Sequence, residues 1–368
     1  MKIMCNRASL VEAVLNVQRA VSTKSCLTAL EGILIKTQED KIELCGYDLE
    51  IGITTTVPAN ISEPGEIIIG AKIFSDIIRR LPGGDIEITS DDKLVTTIKS
   101  ETSVFSLSGL PASDYPELPS VESHATFCIS TTALKSMIKQ TIFAVSDSDS
   151  KPINTGTLFE ISNGNINLVS VDGYRLAKRT EKIDMKEECK FVVPGKTLNE
   201  ILKLIPEKDE PVTVIVGRRH ITFKVGNYNI ISRLLEGEFL DYTSAIPTEH
   251  NTNIIANTRN LIDSIERVSL VITDRLKSPI HCIFANNSVK ISCITNIGRA
   301  NDETDLIMEG DNLEIGFNNR YLLDALRNSD TDEVRLQMNG PLGPLKILPK
   351  EGESFIFLVL PVRLKAGE

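Results

Sequence analysis

The sequence has no tryptophan and only four histidines, His124, His220, His250 and His281. None lies four residues from another or beside a cysteine pair, so no zinc-ligand spacing is present. Seven cysteines, at positions 5, 26, 45, 128, 189, 282 and 293, include no C-x-x-C. The chain starts Met1-Lys2-Ile3-Met4-Cys5-Asn6-Arg7, without an apolar leader. An odd, scattered cysteine set behind such a start predicts reduced thiols, mostly small core residues, in a cytoplasmic chain. Apolar runs are short: Phe355 to Pro361, among the longest, falls far below the roughly 20 residues of a membrane helix. Phosphate loops, nucleophile elbows and dinucleotide fingerprints are missing too. Gly83-Gly84 follows Leu81-Pro82 at the end of a helical stretch and reads as a stop and turn. Asp91-Asp92 and Glu187-Glu188 sit in polar stretches as solvated pairs. These absences predict no metal, no cofactor and no catalysis. A net charge of −10 excludes a uniformly basic nucleic-acid binder, but not a chain that sorts its charges onto different faces.

With 41% hydrophobic and 24% charged residues the chain is too apolar to be disordered, and its 368 residues suit two or three domains. The informative feature is an internal repeat. Helical stretches open at Lys72, Lys196 and Arg320, each with an apolar residue two later and an acid four later, at spacings of 124. Gly32, Leu44 and Asp48 recur 124 residues on as Gly156, Leu168 and Asp172. An earlier helical stretch recurs around Leu10, Leu134 and Leu261. Three domains follow, over residues 1–120, 126–247 and 251–368, with linkers at 111–122 and 236–251.

Each repeat shares one grammar. A short strand precedes an amphipathic helix, with Val11, Val14 and Leu15 on one face of the first and Gln18 beside them. Alternating strands such as 41–45 and 165–169 follow, then a second helix introduced at Gly70, Pro194 or Phe317, then closing strands such as 212–216 and 333–337. The expected class is α+β: three tandem similar domains, each with two helices on antiparallel sheets.

Charge is sorted onto these helices. The stretches 7–20, 72–81, 132–145, 196–205, 259–270 and 320–328 carry thirteen Lys/Arg against six Asp/Glu. Their net of +7 leaves −17 on the rest of the chain. Bases in a last turn complement the helix dipole, which accounts for Arg79-Arg80 and Arg327 but not for the whole excess.

Here the sequence resembles the bacterial DNA polymerase III beta subunit family, the sliding clamps. The carriers are Val171-Asp172-Gly173-Tyr174-Arg175-Leu176-Ala177, Phe317-Asn318-Asn319-Arg320-Tyr321-Leu322-Leu323, Phe105-Ser106-Leu107-Ser108-Gly109-Leu110-Pro111 and the end Leu358-Val359-Leu360-Pro361-Val362-Arg363-Leu364. The resemblance spans the whole chain. It implies a DNA clamp fold that closes as a head-to-tail homodimer ring around duplex DNA and tethers the replicative polymerase, without catalysis or cofactor. Implied DNA contacts, independent of base sequence, are Lys24, Lys72, Arg79, Arg80, Lys139, Lys151, Lys196 and Lys203. An implied peptide pocket uses Asn154, Gly173, Tyr174, Arg175, Leu176, Asn318, Tyr321, Val359, Leu360, Pro361, Val362 and Arg363. It would receive the DNA polymerase III catalytic subunit, the clamp loader, other polymerases, ligase and mismatch-repair proteins. The implied dimer contact joins Phe105 and Leu107 to Leu270, Val271 and Ile272 of the partner subunit.

The chain departs from the family pattern at Asn154, usually apolar, at Tyr174, commonly histidine, at Leu360 and Val362, usually methionines, and at Ser244, arginine in some members. Lys365 to Glu368 extend past the usual last leucine. Two other classes stay open on sequence: a monomeric peptide-binding scaffold, and an enzyme whose catalytic groups are dispersed along the chain.

Overall fold

The structure, a computed structural model, describes residues 1–273 and 278–364; Lys365 to Glu368 lie outside the described residues. By internal contacts it forms two units. One comprises Met1–Thr132 with Asn199–Leu234, the other Ala133–Leu198 with Leu235–Glu368. The α-helices among the described residues are α1 (Arg7–Val17), α2 (Ala71–Arg80), α3 (Thr131–Ile142), α4 (Gly195–Leu204), α5 (Thr258–Ser269) and α6 (Asn319–Arg327). They fall on the six stretches singled out by the repeat.

Local chemistry explains their ends. Asn6, Asn257 and Asn318 cap α1, α5 and α6, their side-chain oxygens accepting from Ala8, Asn260 and Arg320 N–H at 3.0, 2.9 and 3.0 Å. Bases fill the last turns of α2 to α6. In α1 the buried stripe is Leu10, Ala13, Val14 and Val17. Val11 and Leu15 are only half-buried. The expected face was thus rotated, because its 3.6-residue period fits either of two neighbouring apolar stripes.

In the first unit twelve strands form one sheet, ending at Ser103–Ser108 on one side and Ala125–Ser130 on the other. In the second, nine strands form a sheet and four more another, with Arg299–Asp305 at one edge of the smaller. All strand pairs in these sheets are antiparallel, for example Ile51–Glu63 with Lys41–Tyr47 and Arg175–Lys182 with Asn165–Val171. Leu261, Ile265 and Val268 of α5 and Leu322 and Leu326 of α6 are buried in one core with Ile280, Phe317 and Phe357. Truncating a leucine buried in this way costs about 2–5 kcal/mol.

Cys5, Cys45, Cys282 and Cys293 are buried; Cys26 and Cys128 are exposed and Cys189 half-buried. Burial pushes the thiols of Cys5, Cys45 and Cys282 up to about 12, so they stay protonated and unreactive. Among the described residues no three His, Cys, Asp or Glu are placed to hold a metal ion, and no helix is long and apolar enough to cross a membrane.

Candidate functional site

In the second unit Gly173, Tyr174, Arg175, Tyr321 and Leu360 come together at one turn. Gly173 has φ +92°, a conformation glycine adopts without strain. Asp172 closes the turn, its Oδ1 accepting from Tyr174 and Arg175 N–H at 2.9 and 3.0 Å. Its Oδ2 accepts from Arg175 Nε at 2.8 Å, and the same guanidinium donates to Asp324 Oδ2 on α6 at 2.6 Å. The guanidinium lies 4.6 Å over the Tyr321 ring and 5.7 Å over that of Phe143. Tyr174, 62% exposed, stacks on Tyr321 with centroids 6.0 Å apart. Arg175 is therefore a post whose planar fork is already filled from two sides.

Arg175→Ala would leave two carboxylates facing each other without their cation. Breaking a largely buried pair from one side costs about 3–5 kcal/mol. The thermal unfolding midpoint should fall clearly for Arg175→Ala. It should fall less for Arg175→Lys, whose point charge serves one carboxylate but not both; equal midpoints for wild type and Arg175→Ala would remove the post.

The C-terminal strand Phe355–Val359 continues this sheet, with Arg175 opposite Val359 and Leu176 opposite Leu358. Alternation sends Val359 into the core beside Phe357, while Leu176 and Leu358 join a separate cluster with Leu158, Val169, Val192 and Tyr242. Leu360 N–H then donates to Tyr174 O at 2.9 Å and Val362 N–H to Gly316 O at 2.8 Å. A Cβ at Gly316 would lie 2.8 Å from that Val362 oxygen, so only glycine lets the tail this close. Leu360 and Val362 remain 42% and 39% exposed, and Pro361 between them has no N–H to extend the ladder.

The second linker is strapped over the same cluster. Tyr242 OH donates to Glu160, which also pairs with Lys190, and the Lys178 ammonium lies 5.7 Å from the Tyr242 ring centroid. Burial alone would raise the Glu160 pKa, but the hydrogen bonds from Lys190 and Tyr242 outweigh it and hold the carboxylate ionised. Ile153, Phe239 and Ile246 pack partly buried against the cluster.

Other predicted residues stand apart in role. Asn318 spends its side-chain oxygen capping α6. Asn154 is held by its backbone, N–H to Lys151 O and carbonyl to Ser146 N–H; its neighbour Ile153 is the one that packs on the cluster. Ser244 is exposed and donates to Asp241 O at 2.9 Å, and Arg363 is exposed. Sequence reading passed over Asp324, Phe143, Ile153, Leu358 and Tyr242. Asp324 alone carried a signal, as the acid four residues into the repeated helix.

All eight predicted DNA contacts are exposed. In the first unit Arg79 is held by Asp76 at 2.9 Å and Lys203 by Glu200 at 2.8 Å. Among the described residues Lys24, Lys72, Arg80, Lys139 and Lys151 form no ion pair. Arg320, at the position of Lys72 and Lys196 in the third repeat, is exposed as well.

Of the predicted association residues, Phe105 and Leu107 lie on an edge strand, while Leu270, Val271 and Ile272 follow the end of α5. Ser103–Ser108 ends its sheet, with Val104 58% and Phe105 40% exposed and Leu107 half-buried. Leu270 is 83% exposed, while Val271 and Ile272 pack partly buried against the core. Thr295 Oγ1 donates to Val271 O at 2.9 Å, which brings the turn bearing Ile297, 63% exposed, beside them.

Tandem repeats of two helices on antiparallel sheets, with sheets continuing from one repeat to the next, define a clamp-type fold. The comparisons agree. Family models for the N-terminal, central and C-terminal domains of the DNA polymerase III beta subunit match residues 1–119, 128–241 and 243–363. The chain is 33% identical to the beta sliding clamp of Bacillus subtilis, over 99% of this chain and 100% of that one. It is 34% identical to that of Staphylococcus aureus over 94% of each. The solved Bacillus subtilis DNA polymerase sliding clamp superposes with a TM-score of 0.96 at 33% identity, covering 99% of this chain and 100% of that one. A putative DNA polymerase III beta subunit from Eubacterium rectale does so with 0.94 at 37%, covering 98% and 99%. The chain belongs to the DNA polymerase III beta subunit family, the bacterial sliding clamps. Its function is that of a DNA polymerase processivity clamp, which binds DNA and polymerase, acts as a homodimer and catalyses no reaction.

Proposed function

We propose that this clamp meets duplex DNA through Lys24, Lys72, Arg79, Arg80, Lys139, Lys151, Lys196 and Lys203, and its protein partners through the groove around Tyr174, Leu176, Tyr321, Leu360 and Val362. The observation that carries the DNA reading is the exposure of all eight bases on an acidic protein, with Lys24, Lys72, Arg80, Lys139 and Lys151 forming no ion pair among the described residues. Bases that touch phosphate but no base edge bind every register alike, so the ring slides, and binding falls with salt. Retention then comes from encirclement rather than affinity.

The bases are unequal. Among the described residues Lys72 and Arg80 form no ion pair, whereas Arg79 shares its charge with Asp76. Loaded on nicked circular DNA, the wild-type ring should stay until the circle is linearised. Lys72→Ala and Arg80→Ala should each flatten the slope of log affinity against log salt by about 0.9, as loss of one phosphate contact does, and Arg79→Ala by less. Salt titration of initial binding checks this; a slope unchanged in Lys72→Ala and Arg80→Ala would place the contacts elsewhere.

The groove suits an extended peptide, with apolar side chains on Leu176, Leu358, Leu360 and Val362 and polar groups at the Tyr174 turn. Clamp loader, other polymerases, ligase and mismatch-repair proteins would use it in turn, in the cytoplasm. On a division into domains 1–120, 126–247 and 251–368, the groove would lie where the second domain meets the third.

A further inference from the structure

Two junctions between consecutive repeats are built alike, one in each unit. In the second unit Leu360 N–H donates to Tyr174 O, and in the first Arg233 N–H donates to Glu50 O, each at 2.9 Å. Asp172 takes the N–H groups of Tyr174 and Arg175; Asp48 takes those of Glu50 and Ile51. The cross-strand pair Leu176–Leu358 answers to Gly52–Ile231. Each linker returns to its sheet through a single bridge, Val192 with Leu235 and Ile68 with Leu110, and then buries a tyrosine, Tyr242 or Tyr115. Tyr115 OH donates to Cys45 O at 3.2 Å.

One exchange of size separates them. Where the second junction has Leu176, the first has Gly52, and the linker's own Leu118 fills the space. A Cβ on Gly52 would lie 2.5 Å from Leu118 Cδ2 and 2.8 Å from Ile231 Cγ2. Its φ is not in the left-handed region, so the glycine makes room for a side chain rather than a turn. Counted from the tyrosines, Leu118 corresponds to Ala245, which is exposed and short. Beside Leu118 the linker roofs a cleft of about 330 Å³ over Leu34, Cys45 and Thr54, with Lys36 and Glu43 on the next cross-strand row.

We propose that the first junction is a second peptide-docking groove of the same design, with Leu118 as its resident ligand. It accepts an extended peptide that presents a leucine between prolines, the chemistry of Pro116-Glu117-Leu118-Pro119. The inference rests on reading the second junction as a peptide groove. A tethered segment acts at an effective concentration of about millimolar, so a free peptide at micromolar concentration does not displace it from the wild-type chain. Shortening Leu118 empties the seat and opens it to a peptide in trans.

The test uses the full chain carrying Leu360→Asp, which silences the second groove. A fluorescein-labelled copy of residues 113–120, Ser-Asp-Tyr-Pro-Glu-Leu-Pro-Ser, is titrated by anisotropy with and without Leu118→Ala. The variant should bind the copy at least tenfold more tightly, a copy with alanine for its leucine should not bind, and adding Gly52→Ala should abolish the gain. Leu118→Val, a milder truncation, should move affinity in the same direction by less and serves if the alanine variant does not fold. Equal curves with and without the Leu118 substitutions, in proteins that still unfold cooperatively, overturn the proposal. A polymerase-derived peptide that binds the Leu360→Asp chain at full strength sinks only the reading of the second groove, because the response to Leu118 and Gly52 still decides the first.

Discussion

Phe105→Asp is expected to turn the dimer into a folded monomer. Ser103–Ser108 is the last strand of its sheet, so one row of its backbone groups meets no strand of its own unit, and such an edge recruits another chain. The edge expected to receive it is Arg299–Asp305, the end strand of the smaller sheet in the second unit. The two internal junctions fix how such edges meet. Ile51 pairs with Ser232 and Arg175 with Val359. The third-repeat turn 295–298, closed by Thr295 N–H to Gly298 O, answers to 172–175, so Gly298 stands where Arg175 does; the bridges Ile68–Leu110 and Val192–Leu235 put Leu107 where Ser232 stands. Gly298 should therefore face Leu107 of the partner subunit, and Ala300 should face Phe105 of the partner subunit, in a head-to-tail contact that must close into a ring or polymerise. Leu270 and Ile297, both largely exposed, supply apolar surface beside it. Loss of an anchoring aromatic costs about 2 kcal/mol or more, some 30-fold in dissociation constant. The new carboxylate, facing a strand that carries Asp302, Glu303 and Asp305, adds repulsion. Sedimentation at nanomolar to micromolar concentration, with circular dichroism on the same samples, reads the outcome. A cysteine pair at 105 and 300 should form an intermolecular disulfide, and pairs at 105 and 298 or 105 and 302 should not. An unchanged dimer would remove this edge from the interface, and cross-linking only at a shifted pair would refute the register.

Much of this architecture was legible because repetition multiplies a weak signal. One base-apolar-acid pattern is common; three at equal spacing, around Lys72, Lys196 and Arg320, reveal the repeated unit and the second helix of each. The Asp172-Gly173 turn was legible because its hydrogen bonds are local. What stayed hidden depends on pairings across the chain. Arg175 meets Asp324 from 149 residues away, and Tyr242 meets Glu160 from 82. Neither polar pair disturbs a periodicity. Nor does alternation alone say which face of a strand is covered: Leu176 and Val359 are buried on opposite faces, while Leu360, beyond the strand end, is left open. Nor does the sequence say that Ile153 rather than Asn154 packs inward, because a short 3-10 turn, Pro152–Thr155, decides between the two neighbours.

Leu360→Asp should abolish binding of polymerase peptides while leaving the ring intact. Leu360 is anchored by its N–H on the Tyr174 carbonyl but keeps an exposed side chain next to the stacked Tyr174–Tyr321 pair's turn. A peptide seated there would bury that side chain, at about 25 cal/mol for each Å² of apolar surface removed from water. A carboxylate in its place loses this gain and must also give up water without a cation to receive it. Arg175 cannot serve, because Asp172 and Asp324 already occupy its fork. A fall in affinity of at least 100-fold, about 2.8 kcal/mol, is expected. Backbone pairing is unaffected, since Leu360 keeps its N–H, and neither Ser103–Ser108 nor Arg299–Asp305 shares a hydrogen bond with the groove. Sedimentation should therefore still show a dimer, and nicked circles should still retain it. Fluorescence anisotropy with a labelled polymerase peptide is the decisive measurement. Binding within threefold of wild type would place the docking surface elsewhere, whereas loss of the dimer together with the peptide would show that the C-terminal tail also supports ring closure.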